Sequence, residues 1–452
     1  MRTPTDRLPS VSARLAPALV PLALLASCAD RGPRPNDTNV VMVVVDTLRR
    51  DHVSCYGYER ETTPHIDALA ADGVRFETAY SQSPWTTPSL ASLLTSRLPQ
   101  ELGLRSKQSV VPDDAVLLGE MLEPYDYATC AVVSHKFCSE RWNFDQGFAA
   151  FDDTNALGHQ AVTSPDVTER ALEFVDQRAN DGQPFFLFVH YFDPHLSYID
   201  HPETGFERPA DYTGPVRPKH ELAELNKIEL QPADRAELER LYDTEVAFTD
   251  RHVGRLFERL REHGLYDDAL IVVTSDHGES FLDHGELGHG RTLYGEVLNV
   301  PLIVKYPEAY TRAGSRTQPV ALLDVVPTVL DVVGVPAPVL LHGHVLGRAP
   351  RSRTIPGFTH MNGGLRSLCD VRFKLIERPA TGERELYNLA RDPEEQNNML
   401  ERGAIGLAGQ VLDRMQAEQK SWDARLQPIA PQSIRLGPAT LESLRELGYA
   451  GE

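Results

Sequence analysis

The 452-residue chain has few cysteines and a minority of positive charges. Its five cysteines form no C-x-x-C pair, so the spacing typical of a cysteine-ligated zinc site is missing. Lys and Arg number 45 against 65 Asp and Glu, which gives a formal net charge of −20. Because phosphate backbones attract basic surfaces, this balance argues against a nucleic-acid partner. An anionic substrate would need a locally positive site, which a metal ion with a few basic side chains can supply.

The N-terminal apolar run, Leu15–Ala26, is too short to span a bilayer as a helix, which takes roughly 20 residues. The run follows several arginines and ends in Leu25-Ala26-Ser27-Cys28, which resembles a bacterial lipobox. The resemblance implies cleavage before Cys28 and lipidation of its thiol; the alternative is an ordinary secretory signal. We expect a signal peptide over 1–27, a tether over 28–38 and a lipoprotein anchored in the membrane, on the periplasmic side of a bacterial cell envelope.

The remaining cysteines are Cys55, Cys130, Cys138 and Cys369. An exported protein permits disulfides, and Cys130 with Cys138 is the nearest pair. We nevertheless expect free, buried thiols, since a free cysteine packs as a small apolar side chain.

Short apolar runs without polar alternation predict strands buried on both faces of a parallel sheet. Helical patterns between them begin near Pro64, Pro165 and Pro232 and stop at glycines, the expected punctuation of helix ends. This alternation predicts an α/β domain with a mostly parallel central sheet flanked by helices. The runs are Val40–Val45, Ala128–Val133, Pro184–Val189, Ala269–Thr274 and Leu302–Val304.

The pattern changes twice along the chain. Residues 200–231 carry several prolines and many charges without periodicity, which indicates a long excursion of the kind that often forms a lid or binding surface. After about Leu346 we expect a smaller C-terminal α+β subdomain, giving a catalytic domain over 39–345 and a subdomain over 346–452. Its expected elements are antiparallel strands and one helix, at Leu365–Cys369, Phe373–Glu377, Glu385–Leu389 and Ile405–Trp422.

Polar side chains follow four of the predicted strands at their carboxyl ends. Ligands bind at this edge of an open parallel sheet, so these groups should share one crevice. Any one of them alone is more simply explained as a helix cap or a solvated turn; together they indicate a site. They are Asp46; Ser134, His135 and Lys136; His190, Asp193 and His195; and Asp276 and His277.

Within this set, Asp46, Asp276 and His277 offer carboxylate oxygens and an imidazole nitrogen. This mixture suits Zn²⁺ or Mn²⁺, and Ca²⁺ with added oxygens. Thr86 could add a hydroxyl, whose alkoxide a metal ion stabilises. A helix is predicted to begin near Pro88, so Thr86 lies beside a helix N-terminus that favours an anion. The alternative is that Thr86 or Thr87 is only the N-cap of this helix; the two interpretations are compatible, since Thr87 can be the cap while Thr86 is the nucleophile.

The segment Ser83–Pro99 resembles the sulfatase signature, a Cys followed by x-Pro-Ser-Arg and then Leu-Thr-Gly-x-x-Pro. In sulfatases that Cys is oxidised to formylglycine and becomes the nucleophile; here Thr86 takes its place and Leu90 that of the Arg. Further motifs in the family's order imply an alkaline-phosphatase-like fold of the sulfatase branch. They lie within Val43–Gly57, Thr63–Phe76, His190–His195, Ser275–Leu302, Leu386–Glu394 and Leu444–Tyr449.

The resemblance implies roles residue by residue. One divalent metal ion is implied, Ca²⁺ as in sulfatases or Mn²⁺, Zn²⁺ or Mg²⁺, although Thr47 stands where many sulfatases have a further Asp ligand. His195 and His289 match groups that bind the ester and protonate the leaving oxygen. Arg291, His135 and Lys136 stand near family positions that contact the anion. The implied metal ligands are Asp46, Asp276, His277 and Thr86 itself.

The departures from the signature decide the expected chemistry. Formylglycine hydrate can expel sulfate by collapsing to an aldehyde, whereas a Thr ester is cleaved only by attack of water on the sulfur or phosphorus. Related members with Thr nucleophiles act on phosphate diesters and phosphonates, which favours a hydrolase of sulfate or phosphate and phosphonate esters with a preference for phosphorus. Two alternatives stay open: a phosphoglycerol- or phosphoethanolamine-type transferase, and a catalytically dead, anion-binding lipoprotein.

Overall fold

A computed structural model describes residues 37–156, 162–310, 313–401 and 403–437. They belong to one compact unit, Pro35–Glu452. The predicted lipidation site at Cys28 and the motif Leu444–Tyr449 lie outside the described residues. Of the helices in the described ranges, none combines the length and apolar character needed to cross a membrane.

The strands alternate with helices along the first three quarters of the chain, as the sequence predicts. The strands are β1 Val40–Val45, β2 Val74–Tyr80, β3 Ser109–Val110, β4 Ala128–Val133, β5 Ala150–Asp152, β6 Phe185–Tyr191, β7 Leu270–Thr274, β8 Ser280–Phe281, β9 Leu287–Gly288, β10 Asn299–Lys305, β11 Gly314–Arg316, β12 Val320–Ala321, β13 Ile355–Thr359, β14 Leu365–Cys369, β15 Phe373–Arg378, β16 Glu383–Asn388 and β17 Gln432–Ser433. The helices are α1 Pro64–Asp72, α2 Thr86–Thr95, α3 Leu118–Leu122, α4 Ser164–Arg178, α5 Leu222–Leu225, α6 Pro232–Glu262, α7 Gly295–Leu298, α8 Val325–Val333 and α9 Leu407–Arg425.

The central sheet has the strand order β11-β2-β10-β7-β1-β6-β4-β5, with β12 paired to β2. Strand β1 lies in its middle and pairs in parallel with β6 and β7, while β4 pairs in parallel with β6. The prediction of a mostly parallel sheet is therefore confirmed. Successive residues of β1 enter different apolar clusters on the two faces, which explains why this strand shows no polar alternation.

One predicted strand has the wrong direction. The run Leu302–Val304 lies in β10, which pairs antiparallel with both β7 and β2. Its residues are buried on both faces regardless of direction. An apolar run reports burial on two faces and carries no information about strand direction, and this is why the sequence misassigned it.

The C-terminal region forms a separate antiparallel sheet of order β13-β14-β15-β16. Helix α9 packs with this sheet around a third apolar cluster that includes Met415 and Trp422. The excursion over 200–231 contains only short helical segments, as its composition predicts. The four described cysteines are free; Cys130, Cys138 and Cys369 are buried and Cys55 is half-buried.

Candidate active site

The carboxyl ends of β1, β6 and β7 bring buried carboxylates and imidazoles together. Asp46 follows β1 and its N–H donates to the Tyr191 carbonyl at the end of β6, 2.8 Å away. Asp276 follows β7, and its Oδ1 accepts the N–H of Thr47 at 3.4 Å and that of His277 at 2.9 Å. These bonds fix the two strand ends against each other, so the two aspartates face one another in a fully buried position.

Three imidazoles approach the aspartates closely. His277 Nε2 lies 3.6 Å from Asp46 Oδ1 and 3.4 Å from Asp276 Oδ2. On the other side, His190 Nε2 lies 3.6 Å and His135 Nδ1 lies 3.4 Å from Asp46 Oδ2. Single ligand atoms of Asp46, His190 and Asp276 all lie within 4.8 Å of one another. The structure thus gathers the predicted Asp46, Asp276 and His277 and adds His190, which sequence reasoning placed nearby without a ligand role.

Several polar atoms of this cluster have no hydrogen-bond partner in the described part of the chain. Both Asp46 carboxylate oxygens, Asp276 Oδ2 and His277 Nε2 are buried without a hydrogen-bond partner among the described residues. Such groups cost free energy unless something satisfies them. Burial, followed by the nearby Asp276 and Glu279, raises the pKa of Asp46 well above its usual range. Burial lowers the pKa of His277 to about 4, which leaves its nitrogen lone pair available. A donor set of this kind fits a divalent cation.

Thr86 is the first residue of α2, and its environment corrects the predicted capping. Trp85 precedes the helix as its N-cap, so neither threonine is the cap. Thr87 instead donates its hydroxyl to the Phe137 carbonyl at 2.7 Å, and Ser89 donates to the Asp276 carbonyl at 2.5 Å. The alternative in which Thr86 or Thr87 is the cap is therefore wrong, because Trp85 takes that position and the loop after β4 accepts the Thr87 hydroxyl.

Those two bonds tie the first turn of α2 to the segments that follow β4 and β7. Thr86 lies in the same turn, fully buried, and its Oγ1 has no hydrogen-bond partner among the described residues. Leu90, one turn further along, is fully buried in an apolar cluster on one face of the sheet. The helix therefore begins with a hydroxyl that has no partner among the described residues and continues with apolar packing.

The predicted His195 and His289 lie together beside the cluster. Their ring centroids are 4.8 Å apart, and the His289 ring is 4.4 Å from that of His277. His289 Nδ1 lies 3.0 Å from Oε1 of the fully buried Glu279, a carboxylate that sequence reasoning left without a role. A carboxylate on one nitrogen fixes the ring and directs the other nitrogen outward. The only sequence signal for Glu279 was its place in the segment Ser275–Leu302.

The three residues predicted to contact the anion separate in the structure. His135 lies against Asp46 and its ring is 5.4 Å from that of His195, so it belongs to the cluster. Lys136 is half-buried in the turn after it. Arg291 is exposed, and its guanidinium lies 4.0 Å from the Glu286 carboxylate. Their roles toward a substrate stay predictions.

A parallel sheet that presents buried carboxylates, imidazoles and a helix-terminal hydroxyl at its carboxyl edge defines a hydrolase of alkaline-phosphatase-like architecture. The chain belongs to the Sulfatase family, whose model matches residues 38–335. It is therefore an enzyme of the sulfuric ester hydrolase class.

Individual relatives are distant in sequence. An N-acetylglucosamine-6-O-sulfatase of Bacteroides thetaiotaomicron is 25% identical, covering 84% of this chain and 86% of that protein. A solved structure in complex with its substrate D-glucosamine-2-N,6-O-disulfate has a TM-score of 0.70 at 21% identity, covering 87% of this chain and 99% of the other. The phosphonate monoester hydrolase of Agrobacterium radiobacter has a TM-score of 0.66 at 19% identity, covering 89% and 100%. Both structures share the fold.

Proposed function

We propose that the protein is a metal-dependent hydrolase of anionic esters in which Thr86 is the nucleophile, and that it prefers phosphate or phosphonate esters to sulfate esters. The observation that carries the proposal is the buried Thr86 hydroxyl, without a hydrogen-bond partner among the described residues, in a helix turn bound to Asp276. A hydroxyl withheld from local bonds beside a carboxylate–imidazole cluster is available for chemistry. A bound divalent ion would lower the pKa of the Thr86 hydroxyl and offset charge on the ester.

The reaction has two halves. As Thr86 Oγ1 forms its bond to phosphorus, its proton passes to one histidine, the bond from phosphorus to the leaving oxygen breaks, and a second histidine donates a proton to that oxygen. Water then attacks the phosphorus and gives a proton to the second histidine, the bond to Thr86 breaks, and the first histidine returns its proton to the Thr86 oxygen. We assign these proton transfers to His289, whose Nδ1 lies 3.0 Å from Glu279, and to the adjacent His195.

The preference for phosphorus follows from the nucleophile. A threonine ester cannot collapse to an aldehyde, so each turnover must end with attack on the central atom. The relatives are compatible with either element, since one is a sulfatase by name and one solved neighbour is a phosphonate monoester hydrolase. The substrate of a further neighbour is a sulfated sugar, which supports an anionic ester without fixing its leaving group.

Turnover of sulfate, phosphate and phosphonate esters with one shared nitrophenol leaving group, with Mg²⁺, Ca²⁺, Mn²⁺ and Zn²⁺ in turn, tests this proposal. Thr86→Ala should reduce turnover by on the order of 10⁴-fold or more, because the covalent route is lost, while Thr86→Ser should retain activity. Thr95→Ala is the matched control: it removes another buried hydroxyl of α2, bonded within the helix to Ala91, and should keep wild-type turnover. Near-wild-type turnover by Thr86→Ala, or higher efficiency on sulfate than on phosphate, would contradict the proposal.

The same assay separates the alternatives. Product release that requires added glycerol, ethanolamine or a glycan acceptor would identify a transferase. Metal binding without turnover of any ester would identify an anion-binding protein. Mass spectrometry of the quenched reaction should find a phosphoryl group on the peptide that contains Thr86.

We further propose export and anchoring of the protein through Cys28. The sequence supports this with an apolar run that ends at a lipobox-like Leu25-Ala26-Ser27-Cys28. Expression of Cys28→Ser in a bacterium should give an unprocessed or soluble protein, while Cys55→Ser should fractionate like the wild type. Wild-type processing and membrane association of Cys28→Ser would overturn the proposal.

A further inference from the structure

His190 is a buried histidine of the candidate site to which the proposed function gives no role. It lies one residue before the end of β6, fully buried, and neither ring nitrogen has a hydrogen-bond partner among the described residues. Its Nε2 is 3.6 Å from Asp46 Oδ2, which is too long for a good hydrogen bond. An imidazole buried with both nitrogens unsatisfied carries a desolvation cost that a packing role alone does not offset.

The pairing of β6 in the sheet determines where the His190 side chain lies, since no hydrogen bond of its ring does so among the described residues. In the register, His190 is opposite Val44 of β1 and Val133 of β4. Both valines belong to the apolar cluster that also contains Trp85 and Leu90 at the start of α2. Residues opposite each other in neighbouring strands point to the same face, so His190 lies on the face that α2 covers.

The backbone around His190 is also held. Ser134 Oγ donates to the His190 carbonyl at 2.8 Å and accepts the N–H of Phe192 at the same distance. The backbone of His190 is therefore held in place, and its Nε2 lies near the Asp46 carboxylate, whose oxygens have no hydrogen-bond partner among the described residues. This is the arrangement of a preorganised ligand.

We propose that His190 is a direct ligand of the metal ion, which makes the site one of two carboxylates and two imidazoles. The inference rests on the proposed metal-dependent function and adds its ion specificity. Imidazole nitrogen suits Zn²⁺ and Mn²⁺, whereas Ca²⁺ takes oxygen ligands almost exclusively. Asp46, Asp276, His277 and His190 thus select a transition metal over calcium, with Thr86 and the ester as further oxygen donors.

The test measures metal binding to the purified, metal-stripped protein without any substrate. His190→Ala should weaken Zn²⁺ and Mn²⁺ binding by ~100-fold or more, since even groups that only orient a ligand are worth 10–100-fold. His190→Gln keeps much of the volume and replaces nitrogen by oxygen, so the ratio of Ca²⁺ to Zn²⁺ affinity should rise. In the Co²⁺-substituted protein, both variants should change the visible absorption bands, which report the ligands of the ion.

His342→Gln is the matched control. It alters another mostly buried histidine, bound to Glu101 at 2.7 Å and outside the cluster, and should leave metal affinities and the Co²⁺ spectrum unchanged. Thermal melting of each metal-free variant separates loss of a ligand from loss of the fold, since a folded variant with weakened binding supports the proposal.

The outcomes distinguish this proposal from the one on which it rests. If Asp276→Ala loses the metal while His190→Ala binds Zn²⁺ as the wild type does, with an unchanged Co²⁺ spectrum, the ligand role of His190 is wrong and the metal site stands. If Asp276→Ala also retains the metal, the proposed metal-dependent function itself fails. Wild-type protein that binds Ca²⁺ more tightly than Zn²⁺ and Mn²⁺ would overturn the specificity.

Discussion

Asp46→Asn should have opposite effects on stability with and without metal. The substitution keeps the size and shape of the side chain and removes one of two buried carboxylate charges. In the metal-free protein the ligand atoms of Asp46 and Asp276 lie within 4.8 Å. Of the three imidazoles near these carboxylates, His190 and His277 each have a pKa lowered to about 4 by burial, so these two supply no positive charge at neutral pH.

Two unit charges at that separation repel by roughly 3 kcal/mol when the effective dielectric constant is about 20. Removal of this repulsion should stabilise the metal-free protein by up to that amount. With metal, the same change removes a ligand. Saturation at ~1,000 times the dissociation constant stabilises a native state by about 4 kcal/mol, and most of this gain should disappear in the variant.

The gain without metal should depend on pH. Because the pKa of Asp46 is raised in the folded state, the native state holds its proton more tightly than the unfolded chain. Stability of the metal-free wild type therefore falls as pH rises from about 4, the unfolded pKa, toward the raised value. The advantage of Asp46→Asn should be small near pH 4 and grow with pH across that window.

Urea unfolding of the wild type and of Asp46→Asn, each in chelator and in excess Zn²⁺ or Mn²⁺, gives four free energies of unfolding at each of pH 5 and pH 8. The pH dependence of the stability difference in chelator and the loss of stabilisation by metal in the variant are independent readouts. A variant that is less stable than the wild type in chelator at pH 8, or that keeps the full metal increment, would refute the view that these carboxylates face one another to hold a cation.

Two further variants test residues beside the site, and a third tests a buried carboxylate elsewhere in the fold. Ser89→Ala removes the hydroxyl donated to the carbonyl of a proposed metal ligand and should lower both turnover and stability, the latter by about 1 kcal/mol, whereas Ser92→Ala in the same helix should keep wild-type turnover. Glu279→Gln keeps a hydrogen-bond acceptor for His289 but not the charge, so the rate should fall more for esters with poor leaving groups than for nitrophenyl esters; an equal loss for both would contradict a proton-transfer role. Burial raises the pKa of Asp250 to about 7, so the free energy of unfolding of the wild type should fall as pH rises from about 4 to 7, by up to ~4 kcal/mol. Asp250→Asn should flatten this pH dependence when urea unfolding is measured at several pH values. An unchanged pH dependence in the variant would contradict the raised pKa of Asp250.

Much of the fold could be predicted because burial on two faces leaves a direct mark on composition. β1 and β4 match their apolar runs residue for residue. β10 shows the limit of that signal, since its apolar run is equally compatible with either direction. Its neighbours in the sheet, and not its own residues, determine that it runs antiparallel.

The candidate site was predictable in its residue types and only partly in its contacts. Asp46, Asp276 and His277 follow strands directly, so the general rule for parallel sheets placed them at one edge. Thr87 was a candidate cap by sequence, but its actual acceptor, the Phe137 carbonyl, belongs to a segment distant in sequence. Glu279 likewise gained a role only through its contact with His289.

The sequence by itself determined which chemical groups stand at the ends of the strands, and that Thr86 lies in the segment that resembles the sulfatase signature. Those are properties of residue identity and order. The tertiary structure decided which atoms meet. His190 becomes a proposed ligand only because the register of β6 against β1 and β4 turns its ring toward Asp46, and register depends on how whole strands pack and not on any local pattern.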